Sequence, residues 1–274
     1  MLPPAGAEGA GGMEYPTLIT GFASPSPPFL HVDELVALHE LTHQYFYGLV
    51  ASNEPEEAWL DEGLTEFVSS RVIDEHYGGL LALGPLRVPM AVGHWLAAVR
   101  QAAMWPVAIP SYAYPTGAAY SATTYSKTAQ ILHLWEQRLG RAEIDRRLGA
   151  YAQRHLYRHP KRADFVAALA MGSEERQLLD ALLSLDQPID YAILEVSALG
   201  SETQAIVQRT GPALAEATVR VHARDGSFDD HVWSRRAQEG QATWTLALPA
   251  DTDWVEVRSP LSALDAHPAN DARR

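Results

Sequence analysis

The hydrophobic period of this chain changes once, near residue 186. Upstream, apolar side chains recur every three or four positions, the spacing of a helix with one buried face. Downstream they alternate, the spacing of a strand with one buried face. A chain that keeps these textures apart folds as helices followed by strands, the α+β class. Helical patterns cover 31–51, about 55–77, 88–104, 121–139, 141–157, 163–171 and 173–185. Asn53 is placed to cap the second of these, and Gly78-Gly79 to end it. Pro106, Pro110 and Pro115 make 105–116 irregular.

Alternating runs follow at 205–209, 218–223, 231–234, 243–248 and 254–258, separated by turns such as Asp225-Gly226. The expected organisation is a mainly helical domain over 1–188, a small sandwich-like antiparallel β module over 189–262, and a frayed tail over 263–274. Near the start, 14–20 reads as a short extended stretch with β-formers Tyr15, Thr17 and Ile19, and 24–28 as a Pro/Ser loop.

A chain of 274 residues buries a sizeable core without covalent staples. It has no cysteine, which excludes disulfides, thiolate metal ligands and cysteine nucleophiles. The net charge of −13 argues against nucleic-acid or anionic-membrane partners. No apolar run is long enough to span a membrane. Residues 1–12 lack the basic and apolar regions of a signal peptide, which favours a cytoplasmic location. They read as a loop with a start codon placed in it, so a missing upstream domain is expected.

The chemistry concentrates in the first helical segment, at His39-Glu40-Leu41-Thr42-His43. Histidines four residues apart lie about 40° apart around a helix, so both imidazoles face the same way and can hold one Zn²⁺ ion. Glu40 lies about 100° round from His39, within reach of a metal-bound water without ligating the metal. A hydrolytic zinc site needs a third protein ligand and an open position. The positions where a following Gly and His would complete an all-histidine site hold Phe46 and Leu49 instead. A helix leaving His43 and returning antiparallel after Asn53 comes level again at Glu62. Asp61 and Glu57 are rival ligands, the first about 100° off that face and the second more than a turn short.

His39-Glu40-x-x-His43, eighteen residues, then Glu62 resembles the gluzincin signature of the aminopeptidase N family, which also includes leukotriene hydrolase. Gly11-Gly12-Met13-Glu14 resembles that family's G-x-M-E-N exopeptidase motif, and Tyr125-Ser126-Lys127 its Tyr-x-Lys segment. The resemblance runs from about residue 11 to 185. It implies a thermolysin-like domain and a zinc aminopeptidase that hydrolyses the N-terminal peptide bond of peptides with a free N-terminus. It implies His39, His43 and Glu62 as ligands of one zinc ion, and Glu40 as general base on zinc-bound water. Tyr125 would stabilise the oxyanion and Glu14 would bind the substrate α-ammonium. Gly11 and Gly12 would let the backbone approach substrate closely.

The chain departs from the family in four ways. Tyr15 stands where the motif has Asn, and Thr128 where Gly is usual. The β domain that normally precedes the glycine motif and the helical domain that often closes the cleft are absent from this sequence. Two other readings share these residues: a gluzincin endopeptidase or epoxide hydrolase-like enzyme, and a truncated or non-catalytic zinc-peptidase scaffold. Tyr120 is expected to pack rather than to act at the site. Glu66 is read as a solvated helix carboxylate, its alternative being a hydrogen bond to a ligating imidazole. The nine remaining histidines, His94 and His133 among them, are read as surface or packing residues.

Overall fold

The computed structural model describes residues 12–21, 26–100, 105–199 and 202–274. It divides into two compact units, Met1–Leu185 and Asp186–Arg274. Helices dominate the first and antiparallel strands the second, an α+β chain.

The first unit runs α1 (Val32–Thr42), a short α2 (Glu54–Glu57), α3 (Glu62–Tyr77), a hairpin of β1 (Leu81–Leu83) and β2 (Leu86–Val88), then α4 (Met90–Arg100). After an irregular stretch come α5 (Gly117–Ser121), a π-helical turn (Ala122–Lys127), α6 (Thr128–Leu139), α7 (Arg141–Arg154), α8 (Arg162–Leu169) and α9 (Ser173–Leu183). The core is built from Trp59, Leu64, Phe67, Ile131, Trp135 and Phe165, each essentially inaccessible to solvent. Among the described residues no helix is long and apolar enough to cross a membrane.

Two helices are shorter than their sequence patterns suggest, for local reasons. The pattern over 31–51 stops at Thr42 and passes into turns, and Tyr47, with a φ of 105°, bars helix further on. The released segment is held elsewhere: Leu49 O accepts the Tyr157 N–H at 2.6 Å, and the Ala51 N–H donates to Arg158 O at 3.0 Å. The pattern over 55–77 breaks into α2, a 3₁₀ turn (Ala58–Leu60) and α3. Asn53 makes no side-chain cap. Asp61 is the cap that matters, accepting the Glu62 N–H at 2.8 Å. The stretch expected to be extended over 14–20 is a turn closed by a bridge between Met13 and Thr20, with Thr17 at a φ of 64°.

Close approach explains the departure at Thr128. A Cβ on Gly63 would lie 2.2 Å from Thr128 Cγ2 and 2.9 Å from Thr124 O, so the threonine methyl fills the space that a glycine leaves on α3. Lys127 is buried, its Nζ donating to Trp105 O at 2.8 Å and to Leu185 O. This one side chain ties the π turn to both the irregular stretch and the end of the unit.

In the second unit, β3 (Asp190–Leu199), β4 (Glu202–Thr210) and β7 (Thr243–Leu248) form one sheet in the order β3-β4-β7. The other has the order β6-β5-β8-β9, from β5 (Ala217–Ala223), β6 (Phe228–Trp233), β8 (Thr252–Arg258) and β9 (Ala272–Arg273). Alternate residues Val219, Val221, Val255 and Val257 are buried. The alternating texture did not reveal β3 or the short α10 (Arg235–Gly240). The tail expected to fray is ordered. Leu264 is buried, Asp265 accepts the Tyr191 N–H at 3.0 Å, and β9 pairs with β8.

Candidate metal centre and active site

His39 lies in the last turn of α1 and His43 caps its C-terminus one turn on, both buried, and Glu62 is the first residue of α3. The Asp61 cap and the Gly63–Thr128 contact set where α3 begins, and hence where the Glu62 side chain emerges. Glu62 Oε2 lies 3.0 Å from His39 Nε2 and 3.1 Å from His43 Nε2, and the two Nε2 atoms are 3.1 Å apart.

The far side of each ring determines what the near side can do. His39 Nδ1 is 3.0 Å from Glu66 Oε2, and His43 Nδ1 is 3.1 Å from Phe46 O. Both partners accept only, so each Nδ1 carries the proton and each Nε2 presents a lone pair. Three lone-pair donors therefore converge, an arrangement that demands positive charge between them. The titration behaviour reflects this demand. Burial pushes His39 down, but hydrogen bonds to Glu62 and Glu66 outweigh it and raise its pKa to about 10. Burial pushes Glu62 up, but its hydrogen bonds to the two histidines bring it down to about 2. Zinc bonds of about 2.0–2.2 Å at tetrahedral angles place ligand atoms about 3.3 Å apart, so this donor set fits the ion with only slight relaxation.

Glu66 is buried and bonded to His39, not solvated as its position one turn after Glu62 suggested. Behind it, His94 of α4 is 3% exposed and places Nε2 3.7 Å from Glu66 Oε1. Thr65 adds a hydroxyl 3.3 Å from His43 Nδ1. The i, i+4 spacing along α3 could have revealed Glu66. Nothing local reveals His94, which reaches the site only because α3 and α4 pack together.

Glu40 is 5% exposed, and its Oε2 has no hydrogen-bond partner among the described residues. Ligand atoms of Glu14, Glu40 and His43 all lie within 4.8 Å of one another. Burial raises Glu40 to about 7, against the pull of His39 and His43. A Cβ on Gly12 would sit 3.3 Å from Glu40 Oε1, and Gly12 has a φ of +72°, so glycine suits both the approach and the backbone here. Gly11 lies outside the described residues.

Tyr125 sits in the π turn, a feature common where a helix must redirect a functional side chain. Its hydroxyl donates to Glu62 Oε1, and its ring stacks on His39 at 5.5 Å. Burial and the neighbouring Glu62 raise its pKa. Tyr120 contacts Tyr125 edge-on at 6.1 Å and Tyr114 at 5.7 Å. The rival ligands are otherwise engaged: Asp61 caps α3, and Glu57 accepts the Arg162 N–H at 2.8 Å. Among the described residues, His39, His43 and Glu62 form one of two groups able to hold a metal, the other being Glu14, Glu40 and His43.

A histidine pair on one helix, a carboxylate opening the next, and an adjoining free carboxylate make up the kind of site found in HExxH metallopeptidases. The chain belongs to peptidase family M1, whose domain matches residues 29–185. It is 28% identical over 140 residues to Aminopeptidase M1 of Arabidopsis thaliana, which covers 51% of this chain and 16% of the relative. It is 25% identical over 244 residues to Aminopeptidase 2 of Candida albicans, covering 84% of this chain and 25% of the relative. The chain thus spans a quarter or less of these relatives. The fold is similar to that of Legionella pneumophila aminopeptidase A solved in complex with aspartic acid, with a TM-score of 0.53 at 13% identity, covering 85% of this chain and 26% of that one.

Proposed function

We propose that the chain is a zinc aminopeptidase that removes the first residue from peptides with a free N-terminus. The observation that carries this reading is the convergence of His39 Nε2, His43 Nε2 and Glu62 Oε2 beside the partnerless Glu40 Oε2. His39, His43 and Glu62 hold a single zinc ion. When bound, zinc supplies Lewis acidity to the scissile carbonyl and to water.

The protein's own residues do the rest. Glu40, held near neutrality by burial, takes a proton from the attacking water and delivers it to the leaving amine. Tyr125, whose phenol stays protonated, donates a hydrogen bond to the oxygen that gains charge. Glu14, within 4.8 Å of the Glu40 and His43 ligand atoms, binds the α-ammonium of the substrate. That contact selects exopeptidase over endopeptidase cleavage. Gly12 leaves room for substrate backbone beside Glu40, and the adjoining Gly11 is proposed to do the same.

The test is turnover of aminoacyl fluorogenic amides by zinc-loaded protein, beside Glu40→Gln and N-blocked substrates. The expected result is release from free-amine substrates only, reduced about 10²–10⁴-fold in Glu40→Gln. Equal turnover of N-blocked substrates would remove the aminopeptidase reading. No turnover with zinc bound would favour the scaffold reading.

A further inference from the structure

Two carboxylates converge beside the zinc ligands, and no basic side chain serves them. Glu14 stands on the turn closed by the bridge between Met13 and Thr20. That turn is clipped to the chain just past α1, where the Thr17 N–H donates to Gln44 Oε1 at 3.2 Å. Glu40 comes from α1 itself; it is 5% exposed, and its Oε2 has no partner among the described residues. Ligand atoms of Glu14, Glu40 and His43 all lie within 4.8 Å of one another. Among the described residues neither carboxylate forms an ion pair with a lysine or arginine.

His43 belongs to this group and to the zinc group, and it can serve only one. Its Nε2 lies 3.1 Å from both Glu62 Oε2 and His39 Nε2, which commits it to zinc. Its Nδ1 donates to Phe46 O. With zinc in place, Glu14 and Glu40 are left as an oxygen-only pair. Carboxylate oxygens suit hard divalent ions such as Mn²⁺ and Ca²⁺, whereas imidazole suits zinc, so the two groups sort ions by donor type. Calcium–oxygen bonds run to about 2.3–2.6 Å, so an ion between oxygens no more than 4.8 Å apart touches both. Gly12 keeps the approach open, since a Cβ there would sit 3.3 Å from Glu40 Oε1.

We propose that Glu14 and Glu40 form a second metal site, made of oxygens alone, that takes a hard divalent cation while zinc is bound, and that this cation and the substrate α-ammonium exclude one another. The second half rests on the aminopeptidase reading above, in which Glu14 takes the ammonium and Glu40 the proton. A cation held between them occupies the first and ties up the lone pairs of the second. Water supplies its remaining ligands. Two charged protein ligands set the affinity at the weak end for such ions, about 10⁻⁴–10⁻³ M. The site therefore fills and empties with free cation across that range, and filling it stops turnover.

The test titrates Mn²⁺ into protein carrying one zinc ion, reading bound Mn²⁺ from the loss of its free six-line electron paramagnetic resonance signal. Metal analysis after gel filtration checks that zinc stays. Parent, Glu14→Gln and Glu40→Gln proteins are compared, with thermal melts to establish folding; the two changes lie on different segments, so either folded variant carries the test. The parent binds one Mn²⁺ beyond its zinc, and each variant weakens that binding at least about 10-fold, as the loss of a direct ligand exceeds the loss of a group behind one. No Mn²⁺ bound up to several millimolar, zinc displaced by Mn²⁺, or binding unmoved in a folded variant overturns the site. Exclusion is read separately, by L-leucinamide releasing bound Mn²⁺ and by Mn²⁺ raising KM for aminoacyl amides with kcat unchanged. Mn²⁺ bound at the two carboxylates but indifferent to both overturns the exclusion. If the zinc protein turns over no amide, it is the aminopeptidase reading that fails, and Mn²⁺ binding that depends on Glu14 and Glu40 still sustains the site.

Discussion

Replacing Glu66 separates the metal centre from the fold around it. The Glu66 carboxylate lies 3.0 Å from His39 Nδ1, is 9% exposed, and lies behind the imidazole on the side away from Glu62. It does two things to His39: it fixes the proton on Nδ1, and its negative charge makes Nε2 a stronger donor. Glu66→Gln keeps the first, because the amide oxygen still accepts, and loses the second. Glu66→Ala loses both and leaves a buried N–H unpaired. Partners of this kind are worth about 10- to 100-fold in metal affinity, or about 1.4–2.8 kcal/mol. The glutamine variant belongs at the low end of that range and the alanine variant at the high end. Competition titration of zinc against a chromophoric chelator, at fixed pH, measures both. His94→Phe keeps the bulk behind Glu66 and removes the ring nitrogen at 3.7 Å. It should weaken zinc less than either Glu66 variant. A folded Glu66→Ala protein binding zinc within twofold of the parent would refute the claim that this carboxylate tunes the site.

Three other predictions follow from single contacts. Gly63→Ala drives a Cβ to 2.2 Å from Thr128 Cγ2 and should cost about 1–3 kcal/mol in denaturant unfolding; Thr128→Gly in the same chain should recover only part, because Thr124 O stays at 2.9 Å. Tyr125→Phe removes a donor to Glu62 and, on the proposed mechanism, should lower kcat about 10²–10³-fold while zinc stays bound, measured by single-turnover kinetics and metal analysis. In the second unit, burial and the charges of Asp265, Asp190 and Glu256 raise Asp271 to about 8, and burial raises Asp265 to about 6. A carboxyl with a folded pKa above its unfolded value stabilises fully below about pH 4 and loses that contribution as pH rises through the folded value. Thermal midpoints should therefore decline from about pH 4 to about pH 8 and then level, and Asp271→Asn should flatten the decline. A midpoint that rises across that range would contradict the assignment.

The change from helical to alternating texture was legible because it depends on solvent alone: each face is either wet or dry, and period records which. Helix ends were less legible. The α1 pattern continues through Tyr45, Phe46 and Leu49, yet the helix stops at Thr42. Phe46 is buried, Leu49 half-buried and Tyr45 exposed, in a non-helical segment zipped to the chain beyond α7, and no local signal distinguishes the two uses. Tyr47 at a positive φ is the extreme case, since propensity places glycine or asparagine there. The apparent tail failed differently. Its polar composition suggested solvent, but Asp265 is buried to satisfy the Tyr191 N–H, a partner 74 positions away in the chain.

The same division runs through the site. His39, His43 and Glu62 could be placed together from sequence because helical pitch and an antiparallel return fix their relative positions. The groups that decide how those side chains behave came from elsewhere: Phe46 O from the irregular segment, His94 from α4 and Tyr125 from a π turn. Each reaches the centre through packing, not pitch. Donor identity is therefore readable one helix at a time, whereas proton position and local charge depend on which helices meet. Changing Glu66 or His94 tests packing-borne chemistry with every ligand left in place, and that makes those two residues more informative targets than the ligating histidines.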